Sequence, residues 1–145
     1  YETLCEKTIA FGVPLLVKTI RAWVNGTITP RQQDHENATY TKLLKKEFGK
    51  IDWSQSVNTI DAHVRALNPW PGTWTEWRGK RLKILETSLS QQIPLNAHTN
   101  NLFFNDENRL LAPCGNGEYI EIKKIQMEGK KAVTGTAFIQ GYLHQ

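Results

Sequence analysis

Residues 65–77 read Arg65-Ala66-Leu67-Asn68-Pro69-Trp70-Pro71-Gly72-Thr73-Trp74-Thr75-Glu76-Trp77. The fold turns on this stretch. Before it, Val57, Ile60, Val64 and Leu67 recur at helical spacing on one face, with Arg65 on the polar side. Ser54 or Ser56 can cap that helix by accepting a backbone N–H. Pro69 and Pro71 must stop it, because the residue before a proline is driven out of the helical region. After Gly72 the period changes to two, and Thr73–Trp77 reads as a strand.

Downstream, strands dominate. Arg78-Gly79 turns the chain into a second strand, Lys80 to Leu89. There Leu82, Ile84 and Glu86 share one face, and Arg81, Lys83 and Leu85 the other. Leu102-Phe103-Phe104 and Arg109 to Ala112 read as short strands joined at Asn105–Asn108. Cys114-Gly115-Asn116-Gly117 is a turn signal. Tyr119 to Gln126 alternates, with Ile120 and Ile122 followed by a shift at Lys123-Lys124 before Ile125. Thr134 to Leu143 reads as a short terminal helix. The fold class expected is α+β, with an OB-like β-barrel and one or two short helices over residues 51–145. Ile51-Asp52-Trp53 opens that domain and reads as buried.

Upstream, Leu4, Ile9, Val13, Leu16, Ile20 and Trp23 predict helix over residues 1–26. Gly12 and Pro14 predict a break or kink inside it, with Pro14 in the first turn of a second helical segment, and Asn25-Gly26 ends it. Residues 27–50 form a polar, basic linker, with one or two helical turns within Thr41–Lys50.

The chain has 145 residues and a net charge of +4. From Lys42 to Lys83 nine basic residues face four acidic ones, so this stretch alone carries +5. Four of the five tryptophans fall within it. Basic residues interleaved with aromatics suit a nucleic-acid surface; a solvated basic face above a Trp-rich core is the other reading of the same composition. No apolar run is long enough for a membrane helix. The first residues lack the pattern of a signal peptide, and a start at Tyr1 suggests a portion of a longer protein. Cys5 and Cys114 lie far apart, and no Cys/His cluster has metal-ligand spacing, so a reduced, metal-free chain is expected. Two glycosylation tripeptides, at Asn25 and Asn37, are read as chance matches.

Catalytic patterns are missing. The glycines at 115 and 117 precede no helix, so they make no phosphate loop. Nothing places Asp52 beside Asp61, and His63 reads as a structural, partly buried histidine. No catalytic residue is assigned, and the residues alone point to a binding or accessory module.

Several segments, in order over most of residues 38–133, resemble the C-terminal part of the methionyl-tRNA formyltransferase family. These are Ala38-Thr39-Tyr40, the run KLLKKEFGKIDW over 42–53, Arg65-Ala66-Leu67-Asn68-Pro69-Trp70-Pro71-Gly72, Lys83-Ile84-Leu85, Cys114–Gly117 and Ile125–Lys131. The first helix is similar to the last helix of that family's catalytic domain. Glu47-Phe48-Gly49 departs from the family's E-D-G, and Leu95 to Asn101 stands where a Pro-Gly is usual. The resemblance implies a bacterial, cytoplasmic, monomeric protein. Its 10-formyltetrahydrofolate chemistry belongs to a catalytic domain outside this chain, and its partner is initiator methionyl-tRNA. The residues then expected on RNA phosphates are Lys42, Lys45, Lys46 and Lys50 of the linker, with Arg65, Arg78, Lys80, Arg81, Lys130 and Lys131 of the barrel. The Pro-Trp-Pro segment is expected to be architectural, its Trp70 indole sealing one barrel end, with most tryptophans buried. The alternative is a scaffold module of a small-molecule formyltransferase, acting on a nucleotide sugar or in folate metabolism, that never meets RNA. Convergence of the basic residues on one face, against pairing with Glu76, Glu86 and Glu121, separates the two. A free-standing single-strand-binding protein would instead show exposed aromatics on its strands.

Overall fold

A computed structural model describes residues 1–90, 103–106 and 108–143. The chain divides into two units, Tyr1–Leu43 and Leu44–Gln145. The first is one helix, α1 (Glu2–Val24), followed by an extended segment. Gly12 and Pro14 do not divide the helix into two segments: α1 is continuous through Pro14. Proline costs a helix one hydrogen bond and some crowding, but its fixed φ is itself helical. Long helical sequence on both sides outweighs that local cost. Gly26, at φ 64°, ends the helix, and Thr27 N–H reaches Ala22 O at 2.9 Å. Leu4, Ile9, Leu16, Ile20 and Trp23 are all exposed.

In the second unit a 3-10 turn, Lys46–Gly49, is the only helical turn formed within the expected Thr41–Lys50 stretch. Then come α2 (Val57–Leu67), β1 (Thr73–Trp77), β2 (Lys80–Ser90), β3 (Phe104–Asp106), β4 (Arg109–Pro113), β5 (Tyr119–Met127), β6 (Val133–Thr134) and α3 (Gly135–Phe138). A π-type turn, Ile139–Leu143, continues α3. Ser56 caps α2, its hydroxyl accepting from Thr59 N–H at 3.3 Å. As expected, α2 buries Val57, Ile60, Val64 and Leu67.

The sheet is antiparallel in the order β1-β2-β5-β4-β3, with β6 beside β5. The fold is therefore α+β. The closed barrel expected from the sequence is not seen: among the described residues β1 and β3 end the path and do not pair with each other. Leu102 and the stretch Leu95–Asn101 lie outside the described residues. So does Glu107; Asn105 and Asp106, expected in the turn, belong to β3.

The core is aliphatic and sits where the sheet meets α2 and α3. Leu82, Ile84, Leu110, Ile120, Ile122 and Ile125 of the sheet meet Ile60 and Val64 of α2, with Phe138 and Ile139. Lys123 and Lys124 both stay exposed beside buried Ile122 and Ile125, so the irregularity expected in β5 is present. Its partner β2 shifts register between Ile84 and Thr87, which turns Glu86 outward, away from the face of Leu82 and Ile84. A bulge leaves carbonyls without ladder partners. Here the Asn68 side-chain amide donates to Ile84 O at 3.3 Å and Leu85 O at 3.1 Å, and Thr73 Oγ1 donates to Ile84 O at 2.6 Å. Asn68, at the end of α2 and the start of the Asn-Pro-Trp-Pro segment, thus reaches the bulge with its side chain.

Tryptophan placement differs from expectation. All five lie among the described residues, and none is fully buried. Trp53, Trp74 and Trp77 are half-buried, whereas Trp70 is 60% exposed and seals nothing. Pro69 and Pro71 hold the backbone around it, while aliphatic side chains already fill the core beneath.

Candidate nucleic-acid interface

The outer face of β1 carries Trp74 and Glu76, because Thr73 and Thr75 point inward and are buried. Antiparallel register sets Trp74 opposite Lys83 and Glu76 opposite Arg81. The end of the basic segment docks beside them. Lys50 makes a parallel bridge to Trp74, and Ile51 N–H donates to Trp74 O at 2.8 Å. The Trp74 indole N–H reaches Lys46 O at 3.2 Å.

Two cations sit on that indole. The Arg81 guanidinium carbon lies 4.1 Å from the ring centre and the Lys50 ammonium 5.4 Å. Such contacts contribute about 0.5–1 kcal/mol each at exposed sites. Their larger effect is to fix the cations in place. An arginine lying flat on an aromatic ring keeps its N–H edges free for a carboxylate or phosphate. Lys50 is shared with Glu76 at 3.5 Å. Among the described residues Arg81 and Lys83 make no ion pair.

The sequence candidates therefore divide. Lys50 and Arg81 bring their charges onto Trp74, and Lys46 meets the indole N–H only through its main-chain carbonyl. Arg78 lies elsewhere, in the β1–β2 turn at φ 48°, with its guanidinium 4.4 Å from the Trp77 ring. That ring meets Phe138 and Tyr142 edge-on. Lys80 begins β2 and is exposed. Arg65 lies on α2, its Nε donating to Asp61 at 2.8 Å. Lys130 and Lys131 are exposed in the turn after β5. Lys45 is exposed before the 3-10 turn, and Lys42 is exposed within the first unit. Of the three acids named as competitors, Glu76 takes Lys50 and Glu121 takes Lys123 at 2.6 Å.

Sequence reasoning missed two residues of this face as site residues, Lys83 and Gln126. They oppose each other across β2 and β5. Alternation had already set Lys83 beside Arg81, which was the signal available; Gln126 required the strand register.

The remaining polar groups serve structure. Asp52 accepts from Gln55 and Ser54, and those bonds hold its carboxyl below the ordinary value near 3.8. Asp61 instead accepts from Arg65 and from Thr87 Oγ1, so the two carboxylates share no partner. Burial, and then the Glu118 carboxylate, push the Cys114 thiol up to about 11. Among the described residues no group of three or more His, Cys, Asp or Glu could hold a metal ion. None of the helices described is long and apolar enough to cross a membrane.

The candidate site is thus a basic, aromatic outer sheet face on an α+β unit. The profile of the formyl transferase C-terminal domain matches residues 43–143, and the chain belongs to that family. It is similar to methionyl-tRNA formyltransferases from Acidobacterium capsulatum (35% identical over 97% of this chain), Chloroflexus aurantiacus (33% over 95%) and Natranaerobius thermophilus (37% over 94%). It spans 44% of the length of each. In fold it is similar to HypX from Aquifex aeolicus, solved in complex with tetrahydrofolic acid. That likeness has a TM-score of 0.62 at 13% identity, over 90% of this chain and 23% of HypX.

Proposed function

We propose that this chain is the C-terminal region of a methionyl-tRNA formyltransferase, and that it binds and orients initiator methionyl-tRNA. Formyl transfer from 10-formyltetrahydrofolate then belongs to a catalytic domain outside the chain. The protein acts as a monomer in the bacterial cytoplasm. The single observation that carries the reading is the placing of the Lys50 and Arg81 cations over the Trp74 ring, with Lys83 opposite Trp74 on β2. Phosphate contacts of this kind position a nucleic acid without reading its sequence. Family membership and the names of the relatives agree with it.

The Lys50–Glu76 and Arg65–Asp61 pairs favour a second reading, in which the basic residues are partly neutralised and the module is a scaffold. Binding of folded tRNA to this chain across a salt series separates the two. The tRNA reading expects log Kd against log salt to have a slope of magnitude about 3 to 5, matching several phosphate contacts. Absence of binding at low salt would reject it.

A further inference from the structure

Beside Trp74 the surface sinks into a recess of about 260 Å³, lined by Arg81, Lys83, Gln126, Met127, Glu128 and Gly129. Its walls are β2, the end of β5 and the turn that follows. These parts are tied together. Glu128 N–H donates to Arg81 O at 3.0 Å, Lys130 N–H donates to Met127 O at 3.0 Å, and the Gln126 amide donates to Lys130 O at 2.9 Å. Gly129, at φ 73°, lets the turn close.

The volume falls below the roughly 300–1,000 Å³ of drug-sized ligand sites. A single small group suits it better than a whole nucleotide. Among the described residues two cations face one acid there, since Arg81 and Lys83 make no ion pair and Glu128 is the only carboxylate in the lining. Glu76, opposite Arg81 in the register, is engaged by Lys50 instead. The Arg81 guanidinium already rests over the Trp74 ring, so less side-chain freedom is lost when it takes a ligand.

We propose that this recess seats one backbone phosphate of a folded RNA, held by Arg81 and Lys83 with Gln126 beside them, and that Glu128 weakens the seat. The proposal rests on the tRNA reading above and narrows it to one subsite. Lys83 thereby becomes a positioning residue, although it was absent from the sequence candidates.

The test compares tRNA binding by the unaltered chain, the double variant R81Q/K83Q and E128Q, each across a salt series. Near-ultraviolet circular dichroism confirms folding of each variant. The double variant should bind about tenfold more weakly near 0.15 M salt, with the salt slope reduced by about one for each phosphate interaction removed. E128Q should bind about two- to threefold more tightly. Unchanged affinity and slope in the double variant overturn the seat, while a steep slope in the unaltered chain leaves the tRNA reading standing. A second readout is titration of inorganic phosphate into isotope-labelled chain. Amide shifts concentrated at Arg81, Lys83 and residues 126–129 support the seat, and shifts spread over all lysines and arginines overturn it. If those shifts are local but the unaltered chain binds no tRNA at low salt, the RNA occupant is overturned together with the tRNA reading.

Discussion

Gly49 lies directly against the carbonyl oxygen of Gly72, with no space between them for a side chain. The contact joins the end of the basic segment to the Pro-Trp-Pro-Gly bend. A Cβ on Gly49 would also press on Trp74 Cδ1 at 3.1 Å. Gly49→Ala must therefore push the strand-like segment Lys50-Ile51 off β1. That strains the Ile51 N–H to Trp74 O bond and shifts Lys50 from the indole. The expected loss is about 2–3 kcal/mol in urea unfolding. A loss below about 0.5 kcal/mol would show that the two glycines do not fix this junction.

Trp70 and Trp53 give opposite expectations despite being the same residue type. Trp70 is 60% exposed, so Trp70→Ala should cost about 1 kcal/mol or less. Trp53 packs on the core, meets Phe103 edge-on at 6.4 Å and donates its indole N–H to Thr75 Oγ1 at 3.1 Å. Its truncation to Ala should cost about 2–4 kcal/mol. Thermal and urea unfolding of the two variants check the order. A larger loss at Trp70 would restore the sealing role that the sequence suggested.

Asp61 separates Arg65 from the other basic residues. Its carboxylate, 14% exposed, accepts from Arg65 Nε and Thr87 Oγ1, both at 2.8 Å. An arginine already engaged gives less to a phosphate than one whose N–H edge is open to it. Arg65→Gln should therefore weaken tRNA binding less than about twofold, against several-fold for Arg81→Gln. Asp61→Ala, by removing the acceptor that Thr87 and Arg65 share, should cost about 1–3 kcal/mol of stability. Equal effects of the two arginine variants on tRNA affinity would remove the distinction.

Legibility followed the range of the interactions. Thr73–Trp77 was readable as β1 because alternation is local, and two adjacent lysines, Lys123 and Lys124, cannot both face the core. The bulge in β2 was not readable, since the Asn68 amide that satisfies its carbonyls lies 16 and 17 residues away. Glu86 was misplaced for the same reason. The continuous passage of α1 through Pro14 ran against the local penalty of a proline because helical sequence flanks it on both sides. The basic residues were visible in composition, but their grouping was not. Lys50 reaches Trp74 through a backbone bridge between segments far apart in the chain, which no periodicity announces. Arg81 and Lys83 were visible together on one strand face, so half of the phosphate seat lay in the alternation and the other half, Gln126 and the turn, in the register.

Cys114 offers a chemical check on the other side of the fold. Burial first, and the Glu118 carboxylate second, raise its thiol from 9.0 to about 11. The same carboxylate accepts from Val57 N–H at 3.3 Å, at the start of α2, where negative charge is favoured. Because the folded-state value is raised, the contribution to stability is complete below pH 9.0. It is lost as the pH rises toward about 11, where the unfolded thiol ionises and the folded one does not. At pH 8 the thiolate fraction is about a hundredfold below that of an ordinary cysteine, and alkylation should slow accordingly. Iodoacetamide labelling followed by mass spectrometry should find Cys114 modified far more slowly than a model thiol. Glu118→Gln should speed its labelling only modestly, because burial is the larger cause, and should also weaken the start of α2. Rapid labelling of Cys114 in the unaltered chain at about pH 8 would contradict the burial of its sulfur.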